Sequence, residues 1–119
     1  MKIPKSFTVG QQEVKIIIKD GEDMPDTRLG QCDLTHGKIV INNDQSPTSM
    51  ENTCIHEMVH SILDTMGNYD LSRDEVFVST FAAFALEIIK SAKFVNRIKF
   101  SFRFQQLHKI LLTKPQNIC

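Results

Sequence analysis

One stretch of the chain, TCIHEMVHSILDTMG at residues 53–67, constrains the fold more than any other. Its apolar side chains recur at the spacing of one helix face, so we expect them to be buried. They are Ile55, Val59, Ile62 and Met66. Pro47 suits the first turn of this helix, either Ser46 or Thr48 could cap its start, and Gly67 suits its end. The sequence therefore predicts an amphipathic helix over this stretch.

His56 and His60 lie four residues apart in this predicted helix. Residues at that spacing share one helix face, so two imidazoles can bind a single zinc ion. Glu57 lies about 100° further around the helix, which places its carboxylate beside a metal rather than on it. There it can accept a proton from a metal-bound water and later protonate a leaving amine. The motif predicts two metal ligands and a general base; the alternative is a solvated helix face with two histidines.

A catalytic zinc site needs a third protein ligand and one position left for water. Glu75 is the first candidate, because a second helix is predicted to start at Ser72 and could aim this carboxylate at the metal. The run from Ser72 to Glu75 is also a capping box, so Glu75 could instead cap its own helix. Asp74 is the second candidate. Asp64, on the same helix face as His60, could accept a hydrogen bond from a ligand imidazole or remain solvated.

The rest of the pattern predicts an α+β fold. Residues 7–9, 14–19 and 38–42 read as about three strands of a small antiparallel sheet, with a turn at Gly10 between the first two. Residues 76–89 are apolar on nearly every side, which is typical of a buried helix. We therefore expect this second helix to lie behind the helix that carries the two histidines.

Charge divides the chain into two parts. Residues 1–89 hold seven Lys/Arg and all fourteen Asp/Glu, whereas residues 90–119 hold seven Lys/Arg and no acid. We expect one domain at residues 1–92 and a basic extension at 93–119, where strand-like and helix-like spacings both occur. The preferred interpretation is that the extension packs on the acidic body. Its basic and phenylalanine residues could alternatively bind nucleic acid, or its apolar residues could mediate dimerisation, so the oligomeric state is left open.

Composition excludes several classes of protein. No apolar run approaches the length of a membrane span, and the N-terminus lacks an apolar signal core. The three cysteines, Cys32, Cys54 and Cys119, are widely spaced and form no CxxC pair. This argues against a disulfide framework and against a thiolate zinc finger. We expect a cytoplasmic protein with no membrane partner.

Three segments together resemble the zincin group of zinc metallopeptidases, and the ImmA/IrrE-like proteins of phages and mobile elements in particular. They are the strand-like LGQCD-THGKIVINND, the T-x-x-H-E-x-x-H pattern from Thr53 to His60, and a downstream E-x-x-A-x-x-F-A pattern that begins at Glu75, with Val78 in place of the usual alanine. The resemblance covers roughly residues 7–92. It implies a minimal zincin-like fold, Glu75 as the third zinc ligand, and a substrate extended along an edge strand, for which residues 38–42 are the candidate.

The function predicted from these observations is that of a zinc metallo-endopeptidase of gluzincin type. It would bind one Zn²⁺ through His56, His60 and Glu75 and use Glu57 to activate water. Its substrate would be a specific cytosolic protein, which the resemblance suggests to be a repressor-like regulator. The alternative is a non-hydrolytic protein- or nucleic-acid-binding module that keeps the metallopeptidase fold.

Overall fold

The computed structural model describes residues 1–23 and 28–95. The elements in these two ranges are strands β1 (Ser6–Val9), β2 (Gln12–Lys19), β3 (Gly30–Asp33) and β4 (Lys38–Asn42), and helices α1 (Pro47–Thr65), α2 (Tyr69–Arg73) and α3 (Glu75–Ser91). A single 3₁₀ turn, Gly21–Asp23, follows β2. The predicted α+β class is confirmed.

The sheet differs from the prediction of about three antiparallel strands. It has four strands in the order β1-β2-β4-β3, and β2 pairs with β4 in parallel. The β1–β2 and β3–β4 pairs are antiparallel. The two strands richest in β-branched residues take the central positions, where both edges are paired, and the shorter strands take the edges. Residue spacing predicts strands but carries no information on which strands become neighbours.

The turn between β1 and β2 explains the glycine there. Gly10 and Gln11 both have positive φ, 56° and 67°, as a two-residue hairpin turn of the favoured hand requires. A Cβ at Gly10 would also clash with the Thr65 side chain at the end of α1. The hairpin is therefore in close contact with the C-terminal end of that helix.

Both ends of α1 form as the sequence predicts. The Ser46 hydroxyl accepts a hydrogen bond from the Ser49 amide at 3.1 Å. At the other end, the Gly67 amide donates to the Asp64 carbonyl at 3.0 Å, and the following amide donates to the carbonyl of Leu63 at 2.9 Å. Gly67 has φ +76°, so this is a Schellman motif with glycine in the left-handed conformation.

Helix α1 lies between two apolar clusters. The first joins it to α3 and contains Ile55, Val59, Leu63, Val78, Ala82 and Leu86. The second joins it to the sheet and contains Val14, Ile39, Ile41 and Cys54. The predicted burial of Ile62 and Met66 was wrong, since their side chains are 45% and 69% exposed. Leu63 and Cys54 are buried instead, because α1 has to contact two partners on different sides.

The second predicted helix is two elements. The short α2 ends at Arg73, and α3 begins at Glu75 with Asp74 as its cap. The expectation that α3 is buried on all sides was also wrong. Within the described residues, only Val78, Ala82 and Leu86 of this helix are buried. One face of α3 packs on α1, and most of its other apolar side chains are exposed.

The described helices include none that is long and apolar enough to cross a membrane. Beyond Ser91, residues 92–95 form no regular element. Residues 96–119 lie outside the described ranges, and with them most of the basic extension. The predictions made for this extension concern its strand or helix character, its packing on the body and nucleic-acid binding. They therefore fall outside the described residues.

Candidate metal centre

Three ligand-type side chains meet where the start of α3 crosses the middle of α1. His56 and His60 lie on one face of α1, with their Nε2 atoms 3.2 Å apart. Glu75, the first residue of α3, places Oε2 3.0 Å from His56 Nε2 and Oε1 3.2 Å from His60 Nε2. One ligand atom from each residue lies within 4.8 Å of the other two, so this group could hold a metal ion.

The local start of α3 explains why Glu75 can reach the histidines. Asp74 adopts an extended conformation and caps the helix, its Oδ1 accepting a hydrogen bond from the Phe77 amide at 3.1 Å. This leaves the Glu75 carboxylate directed at the imidazoles. The predicted capping box from Ser72 does not form, and Asp74 is a cap rather than a member of the metal-binding group. Asp74 interrupts the helix between α2 and α3, and this interruption both prevents the capping box and makes Asp74 the cap of α3.

Two serines hold the far side of the imidazoles. The Ser72 hydroxyl, on a residue only 7% exposed, lies 3.0 Å from His60 Nδ1. The Ser79 hydroxyl lies 3.4 Å from His56 Nδ1. When each Nδ1–H donates to its serine, each Nε2 presents a lone pair toward Glu75. Sequence reasoning left Asp64 open between this supporting role and a solvated position; the partner of His60 is Ser72, and Asp64 lines the cleft.

Electrostatics favours the form of histidine that binds metals. Burial, followed by the proximity of His60, lowers the pKa of His56, and the Glu75 carboxylate opposes this only in part. His56 is therefore biased towards the neutral imidazole, whose Nε2 can act as a ligand.

The chemistry of the donor set fits a divalent cation. With both Nδ1 atoms protonated, two nitrogen lone pairs and a carboxylate converge with no hydrogen atom between them. Such a group is stabilised by a proton or by a cation placed among the three acceptors. Two imidazoles and one carboxylate are also a donor set of open zinc sites, although other divalent ions can occupy it.

Glu57 lies next to this group but is directed differently. It is 8% exposed and lines the cleft in front of the histidines. Burial, followed by the nearby Glu75 carboxylate, raises the pKa of Glu57 to about 7, while the positive charge of Arg28 lowers it. A carboxyl group with that pKa can both accept and donate a proton near neutrality. Its place beside the metal-binding group is the one expected from its position on the helix.

The cleft has a volume of about 990 Å³ and lies between α1, β3 and the start of α3. The metal-binding group and Glu57 belong to its α1 and α3 walls. Small polar side chains of α1, Ser49, Asn52 and Thr53, extend the same wall, and β3 forms the opposite one. The site is thus open to a molecule much larger than a metal ion.

Strand β3 has an edge that no strand of the described ranges covers. The predicted edge strand, residues 38–42, is central instead, between β2 and β3. The backbone N–H of Asn42 donates to the Leu29 carbonyl at 2.8 Å, so these two residues form a hydrogen-bonded pair. Gln31 lies opposite Val40, two positions further along β3. Because hydrogen-bonded and non-hydrogen-bonded pairs alternate, the backbone groups of Gly30 and Cys32 point away from β4. Both of these residues line the cleft.

Two residues that the sequence analysis did not single out fix β3 against α1. A Cβ at Gly30 would lie 2.5 Å from Thr53 Cγ2 and 3.2 Å from Glu57 Cγ, so only glycine permits this approach. The side-chain amide nitrogen of Gln45 donates to the backbone carbonyls of Leu29 (3.1 Å) and Asn42 (2.6 Å). Its oxygen accepts from the hydroxyls of Ser49 and Thr53, at 2.6 and 2.9 Å. The glycine at the start of β3 is the one sequence signal for this contact.

No protein-family model, curated protein or solved structure matches the chain. The resemblance to the zincin group therefore rests on the motifs themselves.

Proposed function

We propose that the protein is a zinc-dependent peptidase that hydrolyses an internal bond of a protein substrate. The observation that carries the proposal is the position of Glu57. A carboxyl group that is only 8% exposed lines an open cleft beside three side chains able to hold a metal. A site that only binds metal for stability needs the three ligands but no base beside them.

His56, His60 and Glu75 would hold the ion. A bound zinc ion supplies Lewis acidity, which lowers the pKa of water and polarises a carbonyl group. The Glu57 carboxylate accepts a proton from the attacking water and passes it to the nitrogen of the leaving amine as the peptide bond breaks. Ser72 and Ser79 keep the Nε2 atoms turned towards the ion.

Strand β3 supports the choice of an extended peptide as substrate. The outward backbone groups of Gly30 and Cys32 can form main-chain hydrogen bonds with an added strand. Such a strand would run along the cleft between β3 and α1, beside Glu57. The lining combines small polar side chains and the charged groups of the site with the apolar side chains of Leu29, Ala82 and Ala83. Which protein supplies this peptide follows only from the resemblance, which suggests a repressor-like regulator.

The direct test separates metal binding from hydrolysis. Wild type, Glu57→Gln and His60→Ala are stripped of metal, titrated with zinc against a chromophoric chelator, and then incubated with a library of proteome-derived peptides. We expect wild type to bind one zinc and to cleave. Glu57→Gln should bind zinc equally well with cleavage reduced by about 10²–10⁴-fold, and His60→Ala should lose both.

A wild-type protein that takes up no zinc after metal repletion would refute the metal site. Zinc bound at one equivalent, with cleavage equal in wild type and Glu57→Gln, would refute the assigned base. Zinc bound without cleavage of any peptide would favour the alternative of a binding module with this fold.

A further inference from the structure

Helix α3 carries a second apolar stripe, of which only Phe77, at its N-terminal end, packs against the core. Phe77, Phe81, Phe84 and Ile88 follow one another at intervals of four, three and four residues. This is the spacing of a continuous seam on one side of a helix. The last three side chains are 52%, 62% and 68% exposed, and the Phe77 and Phe81 rings lie 5.8 Å apart.

This stripe, which we call the outer stripe, lies on the flank of α3 away from the cleft. Helical rotation places the core residues Val78 and Ala82 between it and the cleft-lining Ser79 and Ala83. The outer stripe therefore contributes nothing to the metal centre. Four large apolar side chains in one row exceed what scattered surface residues account for and indicate a surface that is covered.

The chain itself offers a segment in the right place. Helix α3 ends at Ser91 and the described chain ends at Val95, only seven residues beyond Ile88, the last residue of the stripe. The sequence continues for 24 residues. Even in the compact form of a helix, 24 residues span about 36 Å, whereas the 17 residues of α3 span about 25 Å. The segment is long enough to return along the whole stripe.

The composition of residues 96–119 matches the stripe. Phe100, Phe104, Leu107 and Leu111 repeat its intervals of four, three and four residues. The segment has five Lys/Arg and no acid, whereas residues 1–95 have nine Lys/Arg and fourteen Asp/Glu. Acidic side chains also border the stripe, since Asp74 precedes Phe77 by three positions and Glu87 follows Phe84 by three.

We propose that residues 96–119 dock on the outer stripe of α3, with their apolar residues against the phenylalanines and their basic residues towards the acidic rim. The extension then belongs to the same folded unit as the metal centre and covers the helix that supplies Glu75. This inference does not depend on zinc binding or on hydrolysis.

The test uses the full chain at a concentration where it is monomeric by sedimentation. Nuclear Overhauser contacts are measured between the ring protons of Phe77, Phe81 and Phe84 and the methyl groups of Leu107, Ile110 and Leu111. Amide exchange of residues 96–119 is followed by mass spectrometry in wild type, Phe84→Glu and Val76→Glu. Val76 is the control, because it is 78% exposed and lies about 110° around the same helix from the centre of the stripe.

We expect these contacts within one chain, and exchange of residues 96–119 slowed at least tenfold relative to an unstructured peptide. Phe84→Glu should remove most of this protection and Val76→Glu should leave it unchanged, with helix content equal by circular dichroism. Phe81→Ser serves in place of Phe84→Glu if that variant fails to fold.

Unprotected exchange in wild type would overturn the proposal. So would ring-to-methyl contacts seen only between differently labelled chains, since a second copy would then cover the stripe. Protection that arises only when single-stranded DNA or RNA is added would assign the segment to nucleic acid instead.

Discussion

On its cleft side α3 carries Glu75, Ser79 and Ala83, whereas on its outer side it carries Phe77, Phe81 and Phe84. Glu75 and Ser79 contact the imidazoles, and the small side chain of Ala83 lines the cleft. The outer side has large apolar residues that no described residue covers fully. One helix therefore carries the candidate metal ligand on one side and an exposed apolar stripe on the other, with the core residues between them.

The largest effect is expected from a substitution on the cleft side of α3. Glu75→Ala removes one of the three proposed ligands, so zinc affinity should fall by more than about a hundredfold, which exceeds the loss expected when a hydrogen-bond partner of a ligand is removed. Chelator competition measures the affinity. Glu87→Ala removes an acid from the same helix outside the centre and should leave it unchanged. Equal zinc binding by Glu75→Ala and wild type would show that this carboxylate does not bind the ion.

The next effect concerns the serines. Ser72→Ala removes the 3.0 Å partner of His60 Nδ1, and zinc affinity should fall by about 10–100-fold because the imidazole loses its fixed orientation. Ser79→Ala should have a smaller effect, since its contact with His56 Nδ1 is 3.4 Å long. The same chelator competition compares the two variants. A larger loss in Ser79→Ala would reverse their assigned importance.

A matched pair of valines compares the core of α3 with its surface. Val78 is 0% exposed and Val76 is 78% exposed. Val78→Ala should cost about 2 kcal/mol of unfolding free energy, from lost burial and the cavity left behind. Val76→Ala should change it by less than about 0.5 kcal/mol. Urea unfolding of the metal-free protein measures both values, and equal losses would mean that Val76 is buried by a partner in solution.

The smallest expected effect is electrostatic. Lys90 of α3 lies 3.0 Å from Glu51 of α1, and this pair holds the pKa of the Glu51 carboxyl below its usual range. A carboxyl with a lowered pKa in the folded state stabilises the fold above its unfolded pKa, and this contribution is lost as the pH falls through the folded value.

Urea unfolding at several pH values measures the effect of this pair. Wild type should be slightly more stable than Lys90→Met at pH 7, and the difference should vanish in acid. A difference that persists once Glu51 is protonated would point to packing by the lysine stem rather than to charge.

Local signals in the sequence were sufficient for part of the structure. Helix α1 with its serine cap and glycine end, the hairpin at Gly10 and the shared face of His56 and His60 follow from spacing and capping rules, whereas Glu75 was favoured over a capping role only by the resemblance. Those rules act between residues close together in the chain, where geometry is fixed by the helix or the turn itself.

What the sequence did not predict depends on pairs distant along the chain. The parallel pairing of β2 with β4, the contact of Ser72 with His60 and the exposure of Ile62 each require knowledge of which elements become neighbours. Ser72 shows the difficulty well. Its sequence context is that of a helix cap, and only the break before α3 turns it towards an imidazole.

Gln45 has a further consequence for the cleft. It uses both ends of its amide to tie the carbonyls at the ends of β3 and β4 to hydroxyls on α1, while Gly30 permits the close approach beside Glu57. The edge strand is thus held in a fixed position beside Glu57. Under the proposed function, a peptide added to β3 shifts only in steps of two residues, since main-chain pairing repeats at that interval. The bonds that it can present to Glu57 are then every second one along its backbone.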